Sequence, residues 1–229
     1  FARSNTDYNK IVAESEGSTN TVLQHTSPAG KSTGTLNFGF YSGGEAYIFE
    51  TDVKWSGNSI DRSKDNWIAR WGFVSNGTAS LSNADTYLFC NYASAKKDTP
   101  LYFTAGSAGY ETAEPANPQA TFPAGEWHRI RFEYVPLGEN NGLYYGIQRV
   151  YFDGALAEER LAASKGDNSY VQTFRIAQRG TGDTLDWTLQ LDNIVCYTVH
   201  EDYYGKGLYA NDPDVNKYDG ENANHSGGT

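Results

Sequence analysis

The stretch AGEWHRIRFEYVP, residues 124–136, carries the pattern that decides the fold of this chain. It alternates the apolar side chains of Ile130, Phe132 and Tyr134 with two arginines and a glutamate. Successive side chains of a β-strand point to opposite faces, so this pattern predicts a strand with one buried face and one charged face. The functional question is whether the charged face is a solvated wall or a binding site.

Further segments of strand length repeat the same signal along the chain. They are rich in β-branched and aromatic residues, alternate in polarity, and are separated by clusters of Gly, Asn, Asp and Pro. These segments are 21–26, 35–41, 45–55, 67–74, 86–92, 101–106, 145–154, 170–178 and 188–199. A helical period is absent apart from one possible turn of helix at 155–164. The pattern therefore predicts an all-β fold, a two-sheet antiparallel β-sandwich or jelly roll.

The predicted strands stop near residue 200. We therefore expect one domain over residues 1–200, followed by a polar C-terminal extension or linker over 201–229. Within the extension, Asp212, Asp214 and Asn216 alternate as in a calcium loop, but the glycine and glutamate that an EF-hand requires are missing. We interpret the extension as solvated.

Charge and hydropathy limit the partners. The net charge is -10 and the isoelectric point is about 4.8, which disfavours nucleic acid because phosphate binding needs clustered Lys and Arg. No apolar run reaches the roughly eighteen residues of a membrane span, so membrane insertion is not expected. The sequence lacks Met altogether, which suggests that it is a segment of a longer polypeptide with other domains. Cys90 and Cys196 form either a disulfide or two buried thiols.

Four segments taken together resemble a known group of proteins. YIFETDVKW (47–55), AGEWHRIRFEY (124–134), RVYFDGALAEE (149–159) and LDNIVCY (191–197) follow in the order seen in laminin-G-like and concanavalin-A-like jelly rolls. The resemblance covers residues 20–199 and implies two facing sheets, with ligands on a concave face or at an edge. Such folds host lectins, carbohydrate-binding modules, glycanases and polysaccharide lyases, so the resemblance indicates the fold better than the function.

The resemblance also implies two features beyond the fold. The aspartate of the last-strand LDNI motif holds a structural calcium in many such modules, and that role would fall on Asp192; the alternative is an aspartate that caps a neighbouring amide. A secreted or surface-displayed location is implied as well. Asp153-Gly154 after Phe152 has its own physical meaning, because Asp-Gly is a good hairpin turn.

Strand parity defines a candidate binding face. If Tyr47, Phe49 and Val53 point into the core, their charged neighbours point outward, and the same rule applied to the other strands predicts one outward set. This set comprises Glu50, Asp52, Lys54, Arg70, Arg129, Arg131, Glu133, Arg149, Tyr151 and Arg175. It is either a ladder of cross-strand ion pairs, each contributing roughly 0.2–1 kcal/mol, or a face that binds sugar hydroxyls and anionic substituents.

Aromatic side chains at strand ends are candidates for sugar stacking. Trp67, Trp187 and the adjacent pair Tyr144-Tyr145 are predicted to present exposed rings, since two neighbouring aromatics cannot both bury on a strand with alternating faces. Trp71 and Trp127 are predicted to belong to the core. The alternative for each exposed ring is that it folds over the edge of the sandwich.

Catalysis makes stricter demands than binding. The jelly-roll glucanases use an E-x-D-x-x-E strand, and here Glu50 and Asp52 are followed by Trp55 where the second glutamate should stand. Lyases on this fold use a His and Tyr pair with Arg or Gln; Arg149 and Tyr151 could serve, but the lyase strand motifs are not visible. We therefore expect a carbohydrate-binding module without catalytic activity that binds a polysaccharide or glycan. The alternatives are a polysaccharide lyase or glycoside hydrolase, and a protein-binding adhesion domain.

Overall fold

A computed structural model describes residues 2–3, 7–28, 34–40, 44–57, 67–75, 87–94, 101–105, 110–111, 121–167, 171–178 and 187–199. Within these ranges all regular structure is β-strand. The strands are β1 (Ala2–Arg3), β2 (Asn9–Ala13), β3 (Thr21–Ser27), β4 (Thr35–Gly39), β5 (Ala46–Gly57), β6 (Trp67–Ser75), β7 (Tyr87–Ser94), β8 (Leu101–Ala105), β9 (Tyr110–Glu111), β10 (Thr121–Phe122), β11 (His128–Asn140), β12 (Leu143–Phe152), β13 (Ala155–Ser164), β14 (Val171–Gln178) and β15 (Trp187–Val199).

The strands form two antiparallel sheets, which confirms the predicted sandwich. Sheet A has the order β1-β4-β14-β6-β7-β8-β10, and sheet B has the order β2-β3-β15-β5-β11-β12-β13-β9. Consecutive strands β14 and β15 belong to different sheets, each lying between strands from the first half of the chain. No helix in the described ranges is long and apolar enough to cross a membrane.

Aromatic rings from both sheets fill the core. Phe49 of sheet B stacks on Phe174 of sheet A with ring centroids 4.0 Å apart, and Trp71, Phe73 and Phe132 pack around this pair. All five side chains are fully buried. The parity that the sequence predicts for β5, β6 and β11 is therefore correct, and Trp71 is a core residue as expected. Trp127 is only partly buried, and its Nε1 donates to Glu14 Oε1 at 2.7 Å.

Two hairpin turns connect the strands β11, β12 and β13 of sheet B. The Asp153-Gly154 turn has positive φ at both residues, 47° and 82°, as the predicted hairpin turn requires. Asn141 and Gly142 form a second turn of the same kind, with φ of 53° and 78°. Strands β11 and β12 consequently pair up to Asn140 and Leu143, and the polar Asn and Gly residues that precede Tyr144 belong to a strand hairpin.

Two expectations change when the structure is known, and a third is not tested by it. Residues 155–164 form strand β13, so the possible turn of helix is wrong. Cys196 is a free thiol, so the chain has no Cys90–Cys196 disulfide, and burial raises the pKa of Cys196 to about 12. The predicted extension at 201–229, including Asp212, lies outside the described residues.

Candidate functional site

The outer face of sheet B carries most of the predicted charged set. Two cross-strand rows run over β15, β5, β11, β12 and β13. The registers align Val195, Glu50, Arg131, Tyr151 and Leu156 in one row, and Tyr197, Ile48, Glu133, Arg149 and Glu159 in the next. The parity argument therefore placed these charged residues on one face correctly.

Arg129 joins three strands at one side of this face. Its Nε donates to Glu50 Oε1 at 2.6 Å, and its Nη1 donates to Asp52 Oδ1 at 3.1 Å. The same Nη1 also donates to the backbone oxygen of Asn193 at 3.0 Å. Asp52 accepts a further bond from Asn193 Nδ2 at 2.6 Å. The guanidinium and both carboxylates are thus used to hold β5, β11 and β15 together.

A second ion-pair network lies around Glu133. Its side chain is 5% exposed and accepts from Arg131 Nη2 at 2.6 Å, while Arg149 Nη1 lies 3.8 Å away. Arg149 also donates from Nε to Glu159. Burial raises the pKa of Glu133 above its ordinary value, although both arginines act in the opposite direction. These contacts agree with the interpretation of this face as a ladder of cross-strand ion pairs, because carboxylates of the same sheet bind the guanidinium groups of both arginines.

Tyr151 is poorly suited to act as a catalytic base. The residue is 8% exposed, and its hydroxyl donates to Glu133 Oε2 at 3.4 Å. Burial first, and then the negative charge of Glu133, raise the pKa of Tyr151. Ionisation of the phenol is therefore disfavoured, so the pairing of Arg149 and Tyr151 that the sequence suggested for a lyase lacks a ready proton acceptor.

Glu50 and Asp52 do not form a glycosidase pair. Both contact Arg129, and the position of the missing acid is filled by Trp55, which is 4% exposed. A glycosidase needs a second carboxyl group with a raised pKa beside the scissile bond. The ion pairs and the buried tryptophan leave this strand without that arrangement.

Arg70 and Arg175 belong to the opposite side of the molecule. Both lie on sheet A, Arg70 on β6 and Arg175 on β14, so the expectation that they share a face with Arg129 and Arg131 is wrong. The alternation of inward and outward side chains was predicted correctly within each strand. Alternation does not show which of the two sheets the strand joins. The charged residues that were predicted to share one face therefore lie on the outer faces of two different sheets.

The outer face of sheet A brings these two arginines close to each other. Two backbone rows cross it: Thr35, Ala177, Arg70, Tyr92 and Thr104 in one, and Asn37, Arg175, Gly72 and Cys90 in the next. Because Arg70 pairs with Ala177, it is a diagonal neighbour of Arg175, a relation that spans roughly 7–8 Å. Arg175 Nε donates to the neutral amide oxygen Oδ1 of Asn37 at 2.7 Å.

Small residues form the floor between the two arginines. Gly72 and Ala177 lie directly beside them in the register, and neither side chain rises above the sheet. Ala177 is 3% exposed and Val74 is 1% exposed, although both point away from the core. The face therefore combines two cationic groups and an amide, with small residues between the arginines. Asn37 was absent from the predicted site; its signal was the polar alternation in TLNFGF (35–40), which only sheet pairing connects to Arg175.

The aromatic side chains that were predicted to stack on sugars differ in their burial. Trp187 is 4% exposed and packs against His25, so the expectation of an exposed ring is wrong there. Tyr144 and Tyr145 on β12 are both partly buried, and they pair with Ser164 and Ala163 of the neighbouring strand β13. The side chain of Trp67 lies outside the described residues. A stacking role for Tyr144, Tyr145 or Trp67 stays a prediction.

Asp192 makes the contacts of a capping residue. Its Oδ1 accepts from the backbone amide of Asn193 at 2.8 Å, and its Oδ2 accepts from Asn20 Nδ2 at 3.0 Å. Among the residues that the structure describes, no group of three or more His, Cys, Asp or Glu side chains could hold a metal ion. Calcium binding at Asp192 stays a prediction of the resemblance.

Comparison with solved structures finds the same fold in several polysaccharide lyases. The alginate lyase Aly36B matches with a TM-score of 0.54 and 15% identity over 87% of each chain. A double mutant of Aly36B in complex with alginate trisaccharide matches with a TM-score of 0.55 and 15% identity, over 86% of this chain and 87% of that one. Endo-β-1,4-glucuronan lyase from the fungus Trichoderma reesei gives 0.52 and 17%, over 86% and 90%. No family model and no curated protein matches the chain.

These neighbours overturn one expectation from the sequence. We expected a binding module without catalytic activity, but the structures named above, which share this fold over most of both chains, are those of lyases. The expectation of a non-catalytic chain is therefore corrected. The jelly-roll sandwich itself agrees with the predicted fold, and the substrates named for the neighbours are polysaccharides.

Proposed function

We propose that this chain is a polysaccharide lyase that acts on a uronate-containing polysaccharide at the outer face of sheet A. The observation that carries the proposal is the placement of Arg70 and Arg175 together on that face, within a fold shared with alginate and glucuronan lyases. The proposal replaces the sugar-binding role that the sequence suggested for the charged ladder of sheet B.

The chemistry of a lyase explains the need for arginine. β-Elimination transfers the proton next to the uronate carboxyl group to a general base and breaks the glycosidic C–O bond on the neighbouring carbon. The departing oxygen takes up a proton, and a carbon–carbon double bond remains in the sugar. Negative charge accumulates on the carboxylate as the proton departs, so a cation or hydrogen-bond donor there lowers the barrier. Arg175, oriented by its bond to Asn37, is the group to which we assign this task, and Arg70 is its diagonal neighbour.

Electrostatics disfavours the outer face of sheet B as the binding site of an anionic polymer. On sheet B, Arg129, Arg131 and Arg149 contact carboxylates of the same sheet. A uronate that approached them would compete with Glu50, Glu133 and Glu159 and would meet their negative charge. On sheet A, Arg175 donates to the amide oxygen of Asn37, and this guanidinium is the group to which we assign the binding of a substrate carboxylate.

The floor of the sheet A face suits an extended polymer. Gly39 at the end of β4 has open space where a Cβ would stand, which leaves room for a sugar ring close to the backbone there. Polysaccharide substrates are larger than the cell's import routes usually accept, so we also propose that the chain works outside the cell, secreted or at the surface.

Substitution of Arg175 tests this proposal. We expect Arg175→Ala to lower the rate of unsaturated-product formation by about 100-fold or more, because the donor that stabilises the transition-state charge is lost. Arg129→Ala on sheet B is the matched control and should keep the wild-type rate. Circular dichroism of both variants verifies that they fold. Equal rates for wild type and Arg175→Ala would contradict the assignment of the site.

A further inference from the structure

Two polar side chains of strand β4 form a chain of hydrogen bonds that ends on the guanidinium of Arg175. Arg175 Nε donates to Asn37 Oδ1 at 2.7 Å, and Asn37 Nδ2 in turn donates to Thr35 Oγ1 at 3.1 Å. Thr35 and Asn37 alternate with Leu36 and Phe38, which belong to the core, so both polar side chains lie on the outer face of sheet A. The residues Thr35, Asn37 and Arg175 are here called the Arg175 relay.

The chemistry of the three side chains fixes the order of donors and acceptors in the relay. Arginine has donors and no acceptor, so the amide of Asn37 has to turn its oxygen towards Arg175. The amide nitrogen then faces the opposite side and needs an acceptor, which the hydroxyl oxygen of Thr35 provides. Thr35 therefore acts on Arg175 through the amide of Asn37, because it stabilises the one amide orientation that Arg175 can use.

The backbone register and the burial of Thr35 stabilise the relay. Asn37 lies directly opposite Arg175 in the pairing of β4 with β14, and Thr35 lies opposite Ala177. Thr35 is 7% exposed, so water competes weakly for its hydroxyl. An arginine side chain has many rotamers, and a guanidinium whose Nε is already fixed loses less freedom when it binds a carboxylate.

We propose that Thr35 is a positioning residue for the proposed lyase reaction, because through Asn37 it sets the direction in which the guanidinium of Arg175 meets the uronate carboxylate. The inference rests on the proposed function and adds a residue to it. On sheet B, Arg129 Nε donates to a carboxylate of the neighbouring strand, that of Glu50. In the Arg175 relay the corresponding acceptor is an amide, which orients the arginine without adding a negative charge beside it.

Removal of the Thr35 hydroxyl tests the proposal. Thr35→Val keeps a β-branched side chain of similar shape but offers no acceptor to Asn37. We expect it to lower kcat on a polyuronate by about three- to tenfold, the effect of one hydrogen bond. KM should change less, because the charge that Arg175 stabilises grows in the transition state. Thr35→Ser restores the acceptor and should restore the wild-type kcat.

Sheet B offers a matched control for this substitution. There Gln24 Nε2 donates to Thr26 Oγ1 at 3.3 Å, again between an amide and a threonine two positions apart on one strand. Thr26→Val removes the same kind of bond on the other sheet and should leave kcat unchanged.

A charge placed in the relay gives a second test. Asn37→Asp keeps the size of the side chain and can accept from both Arg175 and Thr35, but it puts a carboxylate against the guanidinium. A uronate then has to compete with that carboxylate, so we expect KM for a polyuronate to rise by about tenfold or more. An unchanged KM in Asn37→Asp would contradict the assigned role of the relay.

Nuclear magnetic resonance of the arginine Nε–H groups separates this inference from the proposed function. The signal of Arg175 is identified by its loss in Arg175→Lys. We expect its exchange with water to be about fivefold or more faster in Thr35→Val than in the wild type, Thr35→Ser or Thr26→Val. A wild-type chain that makes no unsaturated product overturns the proposed function and, with it, the catalytic role of the relay. An active chain in which Thr35→Val leaves either kcat or this exchange rate unchanged overturns the inference alone.

Discussion

At the scale of single residues, His25 shows how burial controls a titration. It is 2% exposed, its Nδ1 donates to Asn9 Oδ1, and its ring packs against Trp187. Burial lowers the pKa of His25 from 6.5 to about 4. The folded state therefore requires the neutral imidazole, whereas the unfolded chain takes up a proton below pH 6.5.

The sign of the effect on stability follows from this difference. The stability that neutral His25 provides is complete above pH 6.5 and is lost as the pH falls towards 4. We expect the free energy of unfolding to drop by about 3 kcal/mol across this interval on account of this residue. Urea titrations at a series of pH values measure the drop. A His25→Asn variant should lose this part of the pH dependence, and an unchanged slope in that variant would contradict the prediction.

Gly146 allows a sharp test of close packing. A Cβ added there would lie 2.4 Å from the ring of Tyr134, a fully buried side chain. We expect Gly146→Ala to destabilise the fold by about 1–3 kcal/mol, as overpacking of a core does. Gly39→Ala is the matched control, because open space surrounds a Cβ at that position and its effect on stability should be small. Thermal unfolding of the two variants compares them directly.

Single residues also show what a pattern can and cannot predict. Inward and outward positions on β5, β11 and β12 follow from alternation, so Phe49, Phe132 and Arg149 could be placed from the sequence. Trp187 could not, because its exposure depends on the packing of His25 from β3 across the sheet. Alternation fixes a direction along one strand, and burial depends on what another strand brings opposite it.

At the scale of elements, one ion-pair network joins strands β11, β12 and β13. Its carboxylates differ in burial, since Glu133 on β11 is buried and Glu159 on β13 is exposed. Removal of Glu133 by Glu133→Ala would leave Arg131 and Arg149 without the carboxylate that they share. We expect a loss of about 3–5 kcal/mol, because breaking a buried pair leaves charge behind. Glu159→Ala removes a carboxylate that is 50% exposed, and should cost about 0–1 kcal/mol. Denaturant titration distinguishes them, and similar losses in both would contradict the account.

Strand β13 illustrates why a segment can be predicted with the wrong structure. ALAEERLAAS (155–164) consists mainly of residues with high helix propensity, yet it forms the strand that follows the Asp153-Gly154 turn. Its pairing with β12 decides the conformation, since ladder bonds to a neighbour outweigh local preference. The strands β3–β8, β11, β12, β14 and β15 were predicted to within about five positions at each end, whereas β2, β13 and the two-residue strands β1, β9 and β10 were not.

At the scale of the whole molecule, the sandwich has two outer faces on which different sets of arginines lie. Sheet B bears a ladder in which arginines and carboxylates contact each other, and sheet A brings Arg70 and Arg175 together beside Asn37. The sequence predicted the two-sheet fold and the outward direction of both arginines. It could not predict the assignment of β6 and β14 to sheet A, because that depends on pairing between strands about a hundred positions apart.

The measurement that tests the central claim most directly identifies the product that the wild-type chain makes from polyuronates. The purified chain is incubated with alginate, with a β-1,4-glucuronan and with a neutral β-glucan, and the products are followed by ultraviolet absorbance and mass spectrometry. We predict an unsaturated sugar at the new non-reducing end of at least one polyuronate and no product from the neutral glucan. Saturated products, which only hydrolysis gives, or intact polymers in every incubation would contradict the account.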